Sequence, residues 1–180
     1  LQANLELVDW RRRGADLYRV GAMEGLEAFR KDRDRLFATH PQSPLPDEDR
    51  AGFKGIDYFS HDPSLLVRCE LEATLTAEEI EIDTGGPDGV IHYRRAARAH
   101  FQLQGVSRSL TIFSLAGYGG GLFLPFRDAT SGKQTYGGGR YLFDSIKNHL
   151  PMPPPVVGEL LGELDFNYAY NPSCAYNHLW

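Results

Sequence analysis

The chain has 180 residues, a length that suits one ordinary domain, alone or with a helical extension, and excludes two full-sized domains. Its 42% hydrophobic and 24% charged residues are typical of a globular protein and exclude a disordered or fibrous one. Nineteen Lys and Arg against 24 Asp and Glu give a net charge of −5, which argues against a nucleic-acid partner, because such proteins normally carry a basic face. No run approaches about 18 consecutive apolar residues, so no membrane partner is predicted.

The first 39 residues are predicted to be helical, because apolar residues recur at helical spacing in two segments. The first segment has an imperfect apolar face and contains Gly14, which weakens its middle. The second, cleaner segment covers residues 23–37 and carries a run of alternating charges. Such runs are typical of solvated helix surfaces, so we interpret this one as exposed and in need of no partner. It consists of Lys31, Asp32, Arg33, Asp34 and Arg35.

Prolines at 41, 44 and 46 end the helical region, and from Phe53 onward apolar residues alternate with polar ones, as in half-buried strands. About seven strands are expected, with a turn at 85–89, an exposed linker at 152–155 and a last strand at 164–166. We predict a mainly β protein, an antiparallel meander that forms a barrel or sandwich, with the N-terminal helices packed outside it. Residues 1–42 would be a helical extension and residues 43–180 the β domain. The helices could also join copies of the chain into a homo-oligomer.

Two cysteines, Cys69 and Cys174, are too few for the disulfide scaffold of a small secreted protein. They could form one bridge, although buried free thiols are the more common outcome. We expect a cytoplasmic protein. The glycine clusters at 117–121 and 137–139 have the spacing of neither a P-loop nor a dinucleotide fingerprint, so no nucleotide cofactor is predicted.

Functional side chains are unusually dense between Phe126 and Tyr176, in three runs at 126–136, 136–141 and 165–176. These runs match the signature of a bacterial and archaeal family, called domain of unknown function 1684, which the chain resembles. A weaker match covers 43–45 and 53–59, so that the resemblance extends over roughly residues 43–176. The family's name assigns no reaction, so the resemblance implies where a site lies and leaves its chemistry open.

Strand alternation helps to sort these groups, because Asp165 and Asn167 would share one face of the last strand. If the other face fills the core, both side chains point into a lumen or cleft. Arg140 could pair with Asp165 or Asp128, or hold the carboxylate or phosphate of a ligand in the same fork geometry. A meander that closes on itself could bring the turn at 136–140 beside the segment at 170–174.

The predicted ligand-binding residues are Arg127, Asp128, Tyr136, Arg140, Asp165, Asn167, Tyr170, Asn171 and Cys174. The competing interpretation is that Arg–Asp pairs and Asn side chains only fix irregular loops. Cys174 is a weak candidate nucleophile, because no histidine stands at a diagnostic spacing from it. No metal is predicted, because the histidines are scattered and no His-x-His or Cys-x-x-Cys pair occurs.

The first functional hypothesis is a β-barrel that binds a small polar or anionic molecule and could act on it as an enzyme of hydrolase or lyase type. The alternative is a non-catalytic structural or protein-interaction module whose motif residues lock loops. The two differ in whether the motif side chains converge on one solvent-accessible cavity.

Overall fold

The computed structural model describes residues 1–73, 78–83, 89–147, 149 and 161–177. Two long helices, α1 (Gln2–Glu24) and α2 (Leu26–Thr39), precede a short helix α3 (Asp47–Arg50). Gly25 separates the first two, with a φ of 92° that glycine adopts without strain. None of the described helices is long and apolar enough to cross a membrane.

The β part is one sheet in which all strand pairs are antiparallel. Six strands follow the order β6-β5-β4-β3-β1-β7, and β2 pairs with β3 beside this path. The sheet is a curled half-barrel with the N-terminal helices packed against it, so the predicted fold class is confirmed. The strands are β1 (Leu66–Ala73), β2 (Glu79–Asp83), β3 (Val90–Leu103), β4 (Val106–Leu115), β5 (Leu122–Phe126), β6 (Arg140–Asp144) and β7 (Leu161–Asp165).

A backbone bridge joins the two ends of this sheet path. The chain leaves β7 at one end and returns to the other, where Tyr170 pairs with Tyr141 of β6. The two N···O distances are 2.9 and 3.0 Å. This return brings the segment at 170–176 beside the start of β6, where Arg140 lies.

The last strand ends earlier than predicted. Residues 166–168 form a short 3-10 turn, and the Asp165 carboxylate accepts a hydrogen bond from the Asn167 N–H, 2.9 Å away. A carboxylate that caps the first N–H groups of a turn is a common way to end a strand. Asp165 and Asn167 therefore lie together because of this cap, and the predicted strand alternation is wrong at this point.

Two apolar clusters hold the fold together. The larger one consists mainly of side chains from the sheet and includes Phe101, Phe126 and Leu164. The smaller one joins helices to sheet through Tyr18, Phe29 and Tyr170. Both cysteines are free, so the possible bridge does not form.

Some predictions are left open by the fold. The linker at 152–155 and all but the last residue of the turn at 85–89 lie outside the described residues. Leu5 and Val8 of α1 are exposed, and a homo-oligomer formed through these helices stays a prediction. The boundary at residue 42 between extension and domain also stays a prediction.

Candidate functional site

A cavity of about 1250 Å³ lies among α2, the sheet and the loops at one end of the sheet. Its walls come from α2, the hairpin between β3 and β4, the loop after β5, the start of β6 and the segment at 166–176. An irregular stretch that we call the cover segment (residues 53–62) supplies a further wall.

Six of the nine predicted ligand-binding residues line this cavity, namely Arg127, Asp128, Arg140, Asn167, Tyr170 and Asn171. The other three, Tyr136, Asp165 and Cys174, do not. Tyr136 and Cys174 contact each other instead, and the hydrogen bond to the Cys174 sulfur raises the pKa of the Tyr136 phenol.

Asp128 is the hub of the loop that follows β5. One carboxylate oxygen accepts hydrogen bonds from the N–H and the hydroxyl of Thr130, and the other accepts from Arg140 Nη2 at 2.7 Å. Burial acts to raise the pKa of Asp128, but these hydrogen bonds outweigh it and the pKa is lowered. Asp128 is therefore an ionised group that orients Arg140. The sequence allowed either Asp128 or Asp165 as the partner of Arg140, and the partner is Asp128.

Arg140 has its guanidinium against two aromatic rings. Its central carbon lies 5.1 Å from the ring centre of Phe126 and 5.5 Å from that of Phe59. The side chain is only 13% exposed, and its Nε is buried without a hydrogen-bond partner. One end of this guanidinium is thus fixed by Asp128, and the rest has donor capacity to spare.

Asn167 locks the end of the cover segment. Its side-chain oxygen accepts from the Asp62 N–H, and its Nδ2 donates to the Asp62 carbonyl, both at 2.9 Å. The same Nδ2 donates to Asp165 Oδ1 at 2.8 Å. Both N–H donors of the amide are used, so Asn167 and Asp165 act here as the loop-fixing device that the competing interpretation described.

Two arginines on α2, Arg30 and Arg33, also line the cavity and were not predicted from the sequence. Arg33 is only 6% exposed, although the run that contains it was predicted to be a solvated surface. That prediction is wrong for Arg33, because Phe29, Arg33 and Phe37 are spaced at i, i+4 and i+8 on the buried face of α2. Arg30 lies three residues before Arg33, about one helical turn earlier, with its guanidinium 4.8 Å from the ring centre of Tyr58. The helical spacing of Arg33 with the two phenylalanines was the signal that could have found it.

The guanidinium of Arg33 lies among aromatic rings. Its guanidinium carbon is 5.1 Å from the ring centre of Phe37 and 5.2 Å from that of Tyr170. Within the described part of the chain no carboxylate forms an ion pair with it. Burial acts to lower the pKa of Arg33, but the neighbouring phenols raise it, and the net direction is upward. Arg33 is therefore charged.

The phenols near Arg33 do not neutralise it. Burial raises the pKa of Tyr18, Tyr58 and Tyr170, so these side chains stay uncharged at neutral pH. Their contribution is limited to ring faces and hydroxyl dipoles. The guanidinium is a buried cation whose charge is not balanced by the described side chains.

Buried polar atoms without partners gather around this cavity. The described residues contain six such side-chain atoms, and five belong to residues that line it. Buried polar groups in folded proteins almost always have a partner, so a cluster of five requires an explanation. The five are Arg30 Nε, Arg140 Nε, Tyr170 OH, Asn171 Oδ1 and Tyr176 OH.

The cavity is cationic although the whole chain carries a net charge of −5. Two of its three aspartates are already engaged, Asp128 with Arg140 and Asp62 with the N–H and hydroxyl of Ser64. No group of His, Cys, Asp and Glu side chains suited to a metal ion occurs among the residues that the structure describes. The arginines lining the cavity are Arg30, Arg33, Arg108, Arg127 and Arg140, against Asp57, Asp62 and Asp128.

Comparison with known proteins gives a family and a structural relative. A family model described as "Protein of unknown function (DUF1684)" matches residues 51–180. The solution NMR structure of an uncharacterised protein from Haloarcula marismortui is 38% identical in sequence, with a TM-score of 0.61. The similarity covers 86% of this chain and 80% of that chain. No curated protein matches the chain.

Proposed function

The chain belongs to the DUF1684 family, whose description names no reaction, and we propose that its cavity binds a small anionic molecule. The observation that carries the proposal is that one arginine-lined cavity is lined by five residues that each have a buried polar atom without a hydrogen-bond partner. Arg33 is the central residue, because it is a buried cation without a counter-charge among the residues that the structure describes.

A bound anion would supply what this arrangement lacks. Burying an ion costs several kcal/mol unless an opposite charge or hydrogen bonds compensate. A carboxylate or phosphate accepts two parallel hydrogen bonds from a guanidinium, and such charge-assisted bonds are about twice as strong as neutral ones. Arg140 is already oriented by Asp128, so it would lose little side-chain freedom on binding.

The alternative, a module whose motif residues only lock loops, explains part of the site. It accounts for Asp165 and Asn167, whose hydrogen bonds are satisfied within the protein. It leaves Arg33 and the buried, unpartnered atoms of Asn171 and Tyr176 without a role. These three favour ligand binding.

The test is calorimetric titration and thermal melting with sodium phosphate, and then with small carboxylates and sugar phosphates, at constant ionic strength. An anion present at a hundred times its dissociation constant should stabilise the wild-type protein by about 2.7 kcal/mol. Arg33→Met should weaken binding at least tenfold, roughly 1.4 kcal/mol. Arg35→Met is the matched control, because Arg35 lies on the same helix with 66% of its side chain exposed and does not line the cavity.

Two results would contradict the proposal. One is a wild-type protein that no anion stabilises beyond the effect of chloride at equal ionic strength. The other is an Arg33→Met variant that folds and binds anions as tightly as the Arg35→Met control.

A further inference from the structure

The cavity is larger than a simple oxyanion requires. Its volume of about 1250 Å³ exceeds the roughly 300–1,000 Å³ of pockets that enclose drug-sized molecules. Much of its wall is aromatic, with rings from Phe101, Phe126, Phe166 and Tyr170. An anion held by the arginines would leave most of this space to the rest of its own molecule.

A further ring of the cavity wall, that of Phe59, is about half exposed. Phe101 and Phe126 are each 7% exposed and Tyr170 is 5% exposed, whereas Phe59 is 46% exposed. Among the described large apolar side chains that line the cavity, Phe59 alone counts as exposed. A phenylalanine exposed to water lacks the stabilisation that burial would bring, and a bound ligand that covers the ring would supply it.

Phe59 is also held firmly in its place. On one side of it, the Asp34 carboxylate accepts hydrogen bonds from the Ile56 N–H and the Tyr58 hydroxyl, both at 3.1 Å. On the other side, Asn167 makes its paired hydrogen bonds to the backbone of Asp62. The exposed ring therefore belongs to a segment that is fixed at both ends and is not a frayed loop.

The ring lies directly beside an anion-binding group. The Arg140 guanidinium carbon is 5.5 Å from the centre of the Phe59 ring, so one face of the ring rests on the cation. We propose that the ligand is an aryl anion, with its phosphate or carboxylate on the arginines and its flat ring stacked on Phe59. This inference rests on the proposed function and names the ligand class. Stacking on an aromatic side chain requires a flat π system in the ligand, which a saturated ring lacks.

The experiment compares two anions of similar size and equal charge, phenyl phosphate and cyclohexyl phosphate, with inorganic phosphate as the reference. Calorimetric titration of the wild-type protein should give a dissociation constant about tenfold lower for the phenyl compound than for the cyclohexyl one, roughly 1.4 kcal/mol. Phe59→Leu should reduce this preference, the ratio of the two dissociation constants, to about twofold. Tyr118→Leu is the control, because Tyr118 is fully exposed and does not line the cavity.

The outcomes separate this inference from the function on which it rests. Equal affinity for the phenyl and cyclohexyl phosphates would overturn the aryl ligand class and leave anion binding standing. Absence of binding by all three phosphates, together with no stabilisation by the small carboxylates and sugar phosphates, would overturn both proposals. A Phe59→Leu variant that keeps the full preference would overturn the role of Phe59. The comparison of the two phosphates on wild-type protein needs no variant, so it decides the ligand class even if Phe59→Leu does not fold.

Discussion

Replacing Arg33 by methionine is expected to make the ligand-free protein more stable while it weakens anion binding. Methionine has a stem of similar length and flexibility, so it can occupy the same space between α2 and Tyr170 without the charge. The change removes a cation that is 6% exposed and has no described counter-charge. Proteins commonly sacrifice stability at binding sites in this way.

The magnitude follows from two opposing contributions. Removing the buried charge recovers a desolvation cost of several kcal/mol. The variant loses two contacts between the guanidinium and aromatic rings, with Phe37 and Tyr170, each of which contributes about 0.5–2 kcal/mol. Replacements of buried ionic groups by apolar ones of similar volume stabilise by about 1–4 kcal/mol, and we expect the low end, about 1–2 kcal/mol. For a chain of this length that raises the Tm by about 2–8 °C.

Differential scanning calorimetry and urea unfolding of the ligand-free protein measure this change, with Arg35→Met as the matched control. Arg35 is exposed and pairs with Asp32 on the surface of α2, so its replacement should change the free energy of unfolding by less than about 0.5 kcal/mol. If Arg33→Met lowers the Tm by several degrees while Arg35→Met does not, the guanidinium is a structural support held by the rings. The charge of Arg33 would then not destabilise the ligand-free protein.

Three further predictions concern the supports of the site. Asn167→Ala removes three hydrogen bonds and should lower the free energy of unfolding by about 2–4 kcal/mol in urea titrations; a loss below 1 kcal/mol would contradict the locking role. Gly139→Ala should lower the free energy of unfolding more than Gly119→Ala does in the same titrations. Both glycines have positive φ, but only at Gly139 would the new Cβ lie 2.6 Å from the Phe126 carbonyl oxygen. Equal losses for the two variants would refute this. His149 supports the cavity residue Tyr170, whose ring centre lies 5.2 Å from its own. Burial, with nearby cations, lowers the pKa of His149 from 6.5 to about 3. Its neutral form therefore stabilises the fold above pH 6.5, and this contribution is lost as the pH falls toward 3. His149→Phe should unfold with a weaker pH dependence between pH 6.5 and about 5 than wild type, and identical profiles would count against the buried neutral histidine.

The architecture was predictable because it depends on local patterns. Apolar residues at helical spacing indicated the two N-terminal helices, and alternation after Phe53 indicated an antiparallel sheet. The motif between Phe126 and Tyr176 also indicated the region of the cavity, since six of nine predicted residues line it. In these cases the sequence pattern and the element that it predicts lie within the same short stretch of chain.

The remaining features depend on contacts between distant segments or on the choice between two local patterns. The end of β7 at Asp165 is such a choice, because an Asp followed two residues later by Asn suits a capped turn as well as a strand. The exposed ring of Phe59 has no periodic signal, since its position depends on Asp34 and Asn167, which lie far away in sequence. The spacing of apolar residues along the chain could predict neither the end of β7 nor the position of Phe59.

Arg33 shows why charge patterning can mislead at a binding site. Alternating charges predict a solvated surface because a buried charge is usually too costly, and that rule holds for Arg35 with its partner Asp32. The same cost makes a buried, unpaired arginine informative when it occurs, because folding alone does not favour it. Arg33 comes from outside the stretch that matches the family model, at 51–180, yet lines the same cavity as Arg140 within that stretch. If the cavity binds an anion as we propose, the helices supply part of the site as well as covering the sheet, and the stretch that matches the family model lacks the wall that α2 provides.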